Sequence, residues 1–318
     1  MWGNQLGWKI SAAIALASLA FWLWLSSVLG ITPRTQLSLD PQNMALMATP
    51  QLIGHPPFEQ NDPGDAGPDY RRATAKYDQE STRCDEFSRA PTGPPPASFQ
   101  IILAAAGKTK MNLFAGSPSE IIDYQGFDQH LVEDHLFAIA HAMARAGVAF
   151  KINNDLSSAR QYLRAVYAVG ANLYRERLDF VEFSDGVALI DEAIIGLEEC
   201  EPPDSAARNP LELGRDDLIQ HNSERLNMIY KPLSSADPEV IATNAGDVFA
   251  FAVECKERMF RVEAILKLGR YRFNAARKGD QLAAGRYLRK LAKDPDLVIA
   301  TAAIAARDLT LEQYRMIH

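Results

Sequence analysis

The stretch NNDLSSARQYLRAVYAVG, from Asn153 to Gly170, decides how this chain folds. It has a polar turn, then small and large apolar residues at helical spacing, then a glycine. Apolar residues three and four positions apart form one face of a helix. A turn this short forces the helices on its two sides to run antiparallel. The stretch therefore predicts the second helix of a helical hairpin.

The helix before the turn has a matching apolar face. Over 128–152 that face carries Leu131, His135, Ile139, Met143, Ala146 and Phe150, and over 155–177 the partner helix offers Leu156, Ala159, Leu163, Val166 and Leu173. Small residues at a helix contact let two backbones approach closely. The contact that we expect joins Ala159, Leu163 and Val166 to Met143, Gly147 and Phe150.

These positions resemble a tetratricopeptide unit. That family has a large apolar residue, a small pair and an aromatic in its first helix, then a Gly-Asp/Asn turn, an alanine and two further apolar positions. The matching residues here are Met143, Ala146-Gly147, Phe150, Asn154-Asp155, Ala159, Leu163 and Val166. The family favours tryptophan at position 143 and a closing proline, which this chain lacks. A second, poorer match runs from Gly279 to Asp296, and no fixed period links the two.

The resemblance implies a degenerate tetratricopeptide-like domain, an irregular α-solenoid of antiparallel helix hairpins. The alternative is an irregular helical bundle, because binary patterning alone produces such spacing. The remainder of the main body is also helical in pattern, with hardly any strand-like alternation. The fold class is therefore all-α, and the predicted helices are 99–109, 117–123, 128–152, 155–177, 184–200, 214–231, 238–278 with a possible break near Gly246, 280–293, 296–307 and a short one from Leu311.

Three start signals support these helices. Asp237-Pro238 places a cap before a proline in the first turn, and Asp280 is a candidate cap after Gly279. Thr310 and Gln313 have the spacing of a capping box.

An apolar segment near the N-terminus predicts a membrane anchor. Residues 10–31, ISAAIALASLAFWLWLSSVLGI, contain twenty-two residues without a charge. At about 1.5 Å per residue such a helix spans the roughly 30 Å hydrocarbon core of a bilayer. The alternative is a cleaved signal peptide, because the small-residue context at 28–30 follows the positive Lys9. The length of the apolar run favours an uncleaved transmembrane helix after a short tail, residues 1–9.

Charge near the anchor favours an N-terminus on the inside, which places the C-terminal domain on the non-cytoplasmic side. Eleven prolines between Thr32 and Ser98 exclude continuous helix or central strand. We therefore expect a Pro-rich tether over 32–98, with one helix near 69–90, and a helical domain over 99–318 with a possible subdivision near 200–210. This arrangement also resembles a class of membrane-anchored bacterial proteins, which implies an envelope location.

Overall charge excludes one class of partner. The net charge is −7, from 33 basic and 40 acidic residues, so nucleic acid is not an expected partner, and the average charge gives no reason for attraction to an anionic membrane surface. Arg270, Arg272, Arg286, Arg289 and Lys290 form a local basic tract, which we interpret as a solvated helix face. The three cysteines, Cys84, Cys200 and Cys255, are too far apart for a CxxC pair; buried thiols are expected, although one disulfide is possible.

The sequence offers little sign of catalysis. The segment HLVEDHLFAIAH contains His130, Glu133, Asp134, His135 and His141. Only residues three or four apart converge on a helix, so His130 pairs with Glu133 or Asp134, and a metal site would need ligands from a second helix. The Gly-Lys-Thr of 107–109 lacks the upstream glycine of a phosphate loop. We therefore assign no catalytic, cofactor-binding or metal-binding residue, and no cofactor.

The sequence favours an interaction module: a single-pass membrane protein, attached through residues 10–31, whose helical domain binds another protein or a peptide. One alternative is a helical enzyme or metal-binding domain that uses the cluster around 130–141. A second alternative is a membrane spacer without a specific ligand. The packing of the helices after Asp128 decides whether a binding groove exists.

Overall fold

The computed structural model describes residues 59–113, 131–178, 180–203, 205–225, 252–253, 255, 258–275 and 278–317. The predicted transmembrane segment 10–31, the tether before residue 59, the predicted helix 117–123 and the predicted cap at Asp237 lie outside these ranges. None of the helices inside them has the length and apolar character needed to cross a membrane.

The described residues are predominantly helical, which confirms the all-α prediction for this part of the chain. In order along the chain the elements are β1 (Asp62–Asp65), α1 (Gly67–Arg89), α2 (Ala97–Ala105), β2 (Lys108–Lys110), α3 (Leu131–Ile152), α4 (Leu156–Glu176), α5 (Phe180–Glu199), α6 (Arg208–Arg225), α7 (Arg258–Asn274), α8 (Lys278–Leu291), α9 (Leu297–Asp308) and α10 (Leu311–Ile317).

Successive helices pair and then stack on one another. α1 packs against α2, α3 against α4, and α5 against α6. The first helices of these pairs are neighbours, because α1 contacts α3 and α3 contacts α5, and α2 also contacts α4. Each pair thereby buries its apolar face against the next, an arrangement compatible with a helical-repeat domain.

The turn between α3 and α4 ends one helix and starts the next. Asn154 has a φ of 62°, a left-handed conformation that asparagine adopts more readily than most residues. The N–H of Asp155 donates to Phe150 O and that of Asn154 to Lys151 O, both at 2.9 Å, which is the bond pattern of a Schellman motif. The Asp155 carboxylate accepts a hydrogen bond from the Ser158 N–H at 3.0 Å and caps α4.

α4 and α5 pack backbone against backbone at two glycines. A Cβ built on Gly170 would lie 2.8 Å from the carbonyl oxygen of Gly186, and one built on Gly186 would lie 2.7 Å from the backbone nitrogen of Tyr174. A side chain at either position would therefore push the two helices apart. The glycine that ends the stretch 153–170 is a packing residue inside α4.

Two short parallel strands were not predicted. The register of β1 and β2 pairs Asp62 with Lys108 and Asp65 with Lys110. The helix predicted over 99–109 is therefore wrong at its end, and the Gly-Lys-Thr segment lies at a strand. The sequences DPGD and KTK have no alternating apolar face that would predict a strand. The Gln60 amide supports the pairing by donating to the carbonyl oxygens of Ala106 at 3.2 Å and Lys108 at 2.8 Å.

A polar cluster joins this N-terminal part to α4. The buried Tyr70 hydroxyl accepts a hydrogen bond from the Asn172 amide at 3.0 Å, and burial raises the pKa of Tyr70. Arg175 donates to Asn172 Oδ1 at 3.0 Å and to Gln60 Oε1 at 2.5 Å. The helix expected near 69–90 is thus present as α1, but it packs into the same core as α3 and α4. The domain boundary predicted at residue 99 falls inside this packed body.

The C-terminal helices pack around α7, which contacts α8, α9 and α10 and also touches α5. Arg272 of α7 donates to three carbonyl oxygens at the end of α9, those of Ala306, Arg307 and Leu309. The predicted capping box is confirmed, because the Thr310 N–H donates to Gln313 Oε1 at 2.8 Å and the Gln313 N–H to Thr310 Oγ1 at 3.1 Å.

Two further predictions here need correction. Cys255 is not helical, so the helix predicted over 238–278, with a possible break near Gly246, is interrupted at residue 255, and α7 begins at Arg258. α8 begins at Lys278, which places Asp280 in its first turn instead of at the cap. An acidic residue there still interacts favourably with the helix dipole.

Candidate functional site

An open groove runs between α3 and α5. Its volume is about 500 Å³. Ala144, Arg145 and Val148 form the α3 wall, Ala188, Asp191, Glu192, Ile195, Gly196 and Glu199 form the α5 wall, and Leu163 of α4 forms the floor. The middle of the groove is therefore apolar, whereas its rim is charged.

Leu163 is held at the floor by two glycines. A Cβ built on Gly147 of α3 would lie 2.9 Å from Leu163 Cγ, and one built on Gly196 of α5 would lie 2.5 Å from Leu163 Cδ2. Both helices therefore approach the leucine so closely that a larger residue at either position would require the Leu163 side chain to shift. The predicted contact of Leu163 with Gly147 is confirmed, and the same leucine also contacts the next helix.

Polar side-chain contacts connect the two walls at both ends. His141 Nδ1 lies 2.9 Å from a carboxylate oxygen of Glu192, and Lys151 Nζ lies 2.7 Å from Glu199 Oε2. Each pair joins α3 to α5. Lys151 follows His141 by ten positions, so at about 1.5 Å per residue the bridges enclose about 15 Å of helix. The apolar middle lies between them.

The other charged rim residues pair outward. Arg145 Nη2 contacts Asp85 of α1 at 2.7 Å, and Arg215 of α6 donates to Asp191 at 2.6 Å. These pairs join the groove to both neighbouring helices. Because every partner is at least partly exposed, each pair adds little to stability.

The α5 wall is strongly acidic. Residues 180–199 contain Glu182, Asp185, Asp191, Glu192, Glu198 and Glu199 and no basic residue. Glu198 is buried, which raises its pKa, and its Oε1 atom has no hydrogen-bond partner among the residues that the structure describes. The charges of Arg215 and Arg208 on α6 act on the Glu198 carboxyl group in the opposite direction and favour its ionised form. Of the six acidic residues, Asp191, Glu192 and Glu199 line the groove, and these three make its α5 wall acidic.

Two histidines of the 130–141 cluster, His135 and His141, contact different helices. His135 Nδ1 contacts Asp78 of α1 at 3.1 Å, whereas His141 contacts Glu192 of α5. Among the described residues no three potential metal ligands converge. His130 lies outside those residues, so metal binding at this cluster stays a prediction. The three cysteines are buried and free, as expected.

No model of a known protein family, no curated protein and no solved structure matches this chain. The resemblance to tetratricopeptide units therefore depends on the spacing of residues in one hairpin. The stacked helix pairs are compatible with a helical-repeat domain, and the tetratricopeptide likeness itself stays a prediction.

The sequence located only half of this groove. It identified α3, α4 and Leu163, but not the wall that α5 contributes through Ala188, Ile195 and Gly196. Two signals were present in 180–199: the run of acidic residues without a basic one, and a glycine within a helical pattern. Neither signal says which helix lies opposite, because that depends on tertiary packing.

Proposed function

We propose that this protein is a membrane-anchored interaction module whose groove between α3 and α5 holds a short helical segment of another protein. The observation that carries the proposal is the open apolar groove with a charged rim. Its length of about three helical turns suits a helix that presents a few apolar side chains on one face. Such a groove favours an interaction module over a plain membrane spacer.

Apolar contacts would supply most of the affinity. Val148 and Ile195 offer aliphatic surface along the groove, above the buried Leu163, and burying one leucine-sized side chain of a partner contributes about 2 kcal/mol. Two or three such anchors contribute about 4–6 kcal/mol before the costs of association, so we expect weak binding, at best in the range of tens of micromolar.

Charge selects the partner. Three acidic residues and no basic one of the α5 wall line the groove, so a segment with lysine or arginine beside its apolar residues fits this wall, and an acidic segment is repelled. We therefore propose a basic amphipathic helix as the occupant. Attachment through residues 10–31 would restrict the search for partners to the membrane surface, which raises the effective concentration of other membrane proteins.

The experiment measures binding of two synthetic peptides to the full chain purified in detergent. Both peptides span about three helical turns with leucines on one face, and they differ only in having lysine or glutamate on the other. Fluorescence anisotropy should show saturable binding of the lysine peptide and none of the glutamate peptide.

A matched pair of variants locates the binding site. Val148→Arg adds a long cation to the groove, and Ile304→Arg adds the same group to α9, where the side chain is 41% exposed compared with 38% at Val148. We expect Val148→Arg to weaken binding about ten-fold or more and Ile304→Arg to leave it unchanged. Equal binding by both variants would overturn the assignment of the groove.

A further inference from the structure

A strongly basic surface lies on α8, away from the residues that line the groove. Arg286, Arg289 and Lys290 are exposed on this helix, and Lys293 is exposed in the turn that follows. Residues 281–293 contain no acidic residue. These four side chains are named here the α8 basic face.

The α8 basic face is not neutralised by neighbouring carboxylates. No ion pair in the described part of the chain involves any of its four side chains. Nearby arginines of α7 behave differently, because Arg261 pairs with Asp294 at 2.6 Å and Arg258 with Asp296 at 3.0 Å. The four positive charges are therefore available to an external partner.

An exposed leucine lies in the same stripe. Leu282, Arg286 and Arg289 are separated by four and three positions and so share one side of α8. Leu282 is 52% exposed. The opposite side of the helix is buried through Ala283, Ala284, Leu288 and Leu291. Because that side packs into the domain, the stripe faces outward.

We infer that the α8 basic face docks on an anionic phospholipid surface. Lipid phosphates offer dense negative charge to arginine and lysine, and an exposed leucine among them inserts at the boundary between headgroups and acyl chains. The chain as a whole is negative, but charges are screened beyond about 8–10 Å in physiological salt, so the face responds to its own local charge. This docking would fix one side of the helical domain against the membrane, whether or not residues 10–31 anchor the chain.

The test reads the distance of α8 from the bilayer in the full chain. A fluorophore is attached to Leu282→Cys, and quenching by brominated lipid is measured with vesicles of phosphatidylcholine alone and of equal parts phosphatidylcholine and phosphatidylglycerol. The natural cysteines are buried, which favours selective labelling. Leu213→Cys on α6, where the leucine is 56% exposed, is the control position.

We expect quenching at 282 only with the anionic vesicles, reversal by high salt, and no lipid-dependent quenching at 213. Each basic residue near an anionic surface strengthens binding about five-fold. Combined reversal of Arg286, Arg289 and Lys290 to glutamate should therefore weaken binding to the anionic vesicles about 100-fold or more, measured as the lipid concentration that gives half-maximal quenching. The same reversal at the exposed residues Lys76, Arg89 and Arg164 should weaken binding far less, and circular dichroism checks that both variants are folded.

Equal quenching at 282 in both kinds of vesicle, or none in either, would overturn the inference. Salt-sensitive self-association without lipid, lost in the α8 variant, would also overturn it, because the face would then contact an acidic surface of another copy. The peptide-binding test does not involve α8, so the two proposals fail independently.

Discussion

Replacing Gly170 with alanine should destabilise the domain although alanine is the better helix former. The added Cβ would lie 2.8 Å from Gly186 O and 2.9 Å from Ile190 N. Both atoms belong to the backbone of α5, so a side-chain rotation does not relieve the overlap. Separating the helices forfeits packing along the contact, at a cost of about 3 kcal/mol. The gain in helix propensity is about 1 kcal/mol, which leaves a net loss of about 2 kcal/mol.

Gly285→Ala is the matched control. Gly285 also lies inside a helix, α8, but the nearest atom to an added Cβ there is the end of the Arg289 side chain at 3.8 Å. Without a clash only the propensity term remains, so this variant should be more stable than the wild type by about 0.5–1 kcal/mol.

Thermal unfolding of the full chain, followed by circular dichroism, measures both changes. For a domain of this size 1 kcal/mol shifts Tm by about 2–4 °C, so Gly170→Ala should lower Tm by about 4–8 °C and Gly285→Ala should raise it slightly. Gly186→Ala meets the same contact, so the double variant should lose less than the sum of the single ones. If Gly170→Ala is as stable as Gly285→Ala, the close contact of α4 and α5 is refuted.

Three other variants test separate parts of the fold. Ala159→Arg forces a long cation into a fully buried position and should cost about 3 kcal/mol or more in denaturant unfolding, whereas Gln161→Arg on the exposed side of α4 should change stability by less than about 0.5 kcal/mol. Glu176 accepts from the Leu113 N–H, and burial raises its pKa to about 7. Since that pKa exceeds its ordinary value, the folded protein binds the proton more tightly, and the free energy of unfolding should fall by up to about 3 kcal/mol as pH rises from about 4.5 through about 7. A pH series in which Glu176→Gln keeps the same slope would contradict this assignment. Arg272→Met removes the hydrogen bonds to the end of α9 and should lower stability by about 1–3 kcal/mol, with faster amide exchange in α9; unchanged exchange there would contradict the capping role.

The hairpin at 153–155 shows what local sequence predicts well. The Asn-Asp pair ends α3 and caps α4 through bonds among residues at most five positions apart. The Thr310–Gln313 capping box is equally local and was also predicted. Such features depend on backbone groups close along the chain, so spacing and residue type are sufficient to identify them.

The strands and the position of α1 show where prediction from local sequence stops. β1 and β2 are separated by a helical hairpin and have no apolar alternation, so their pairing depends on contacts over more than forty positions. Contacts between residues far apart in the sequence also decide that α1 belongs to the core, because Asn172 donates a hydrogen bond to Tyr70 about one hundred positions away. The proline-rich composition of 32–98 predicted a tether. Composition indicates which conformations a segment can adopt, but it does not indicate which distant residues the segment contacts.

The sequence by itself determined the helical class, the position of most helices, the α3–α4 hairpin and the overall charge. These properties depend on periodicity and on neighbours along the chain. Tertiary structure alone decided that Gly170 and Gly186 are contact points and that Leu163 becomes the floor of a groove between α3 and α5. It also decided that the α8 basic face lies on the surface without an ion pair to any described residue. The physical reason is that close approach and charge pairing depend on which distant residues are brought together, and a helical pattern leaves that choice to the packing of the whole domain.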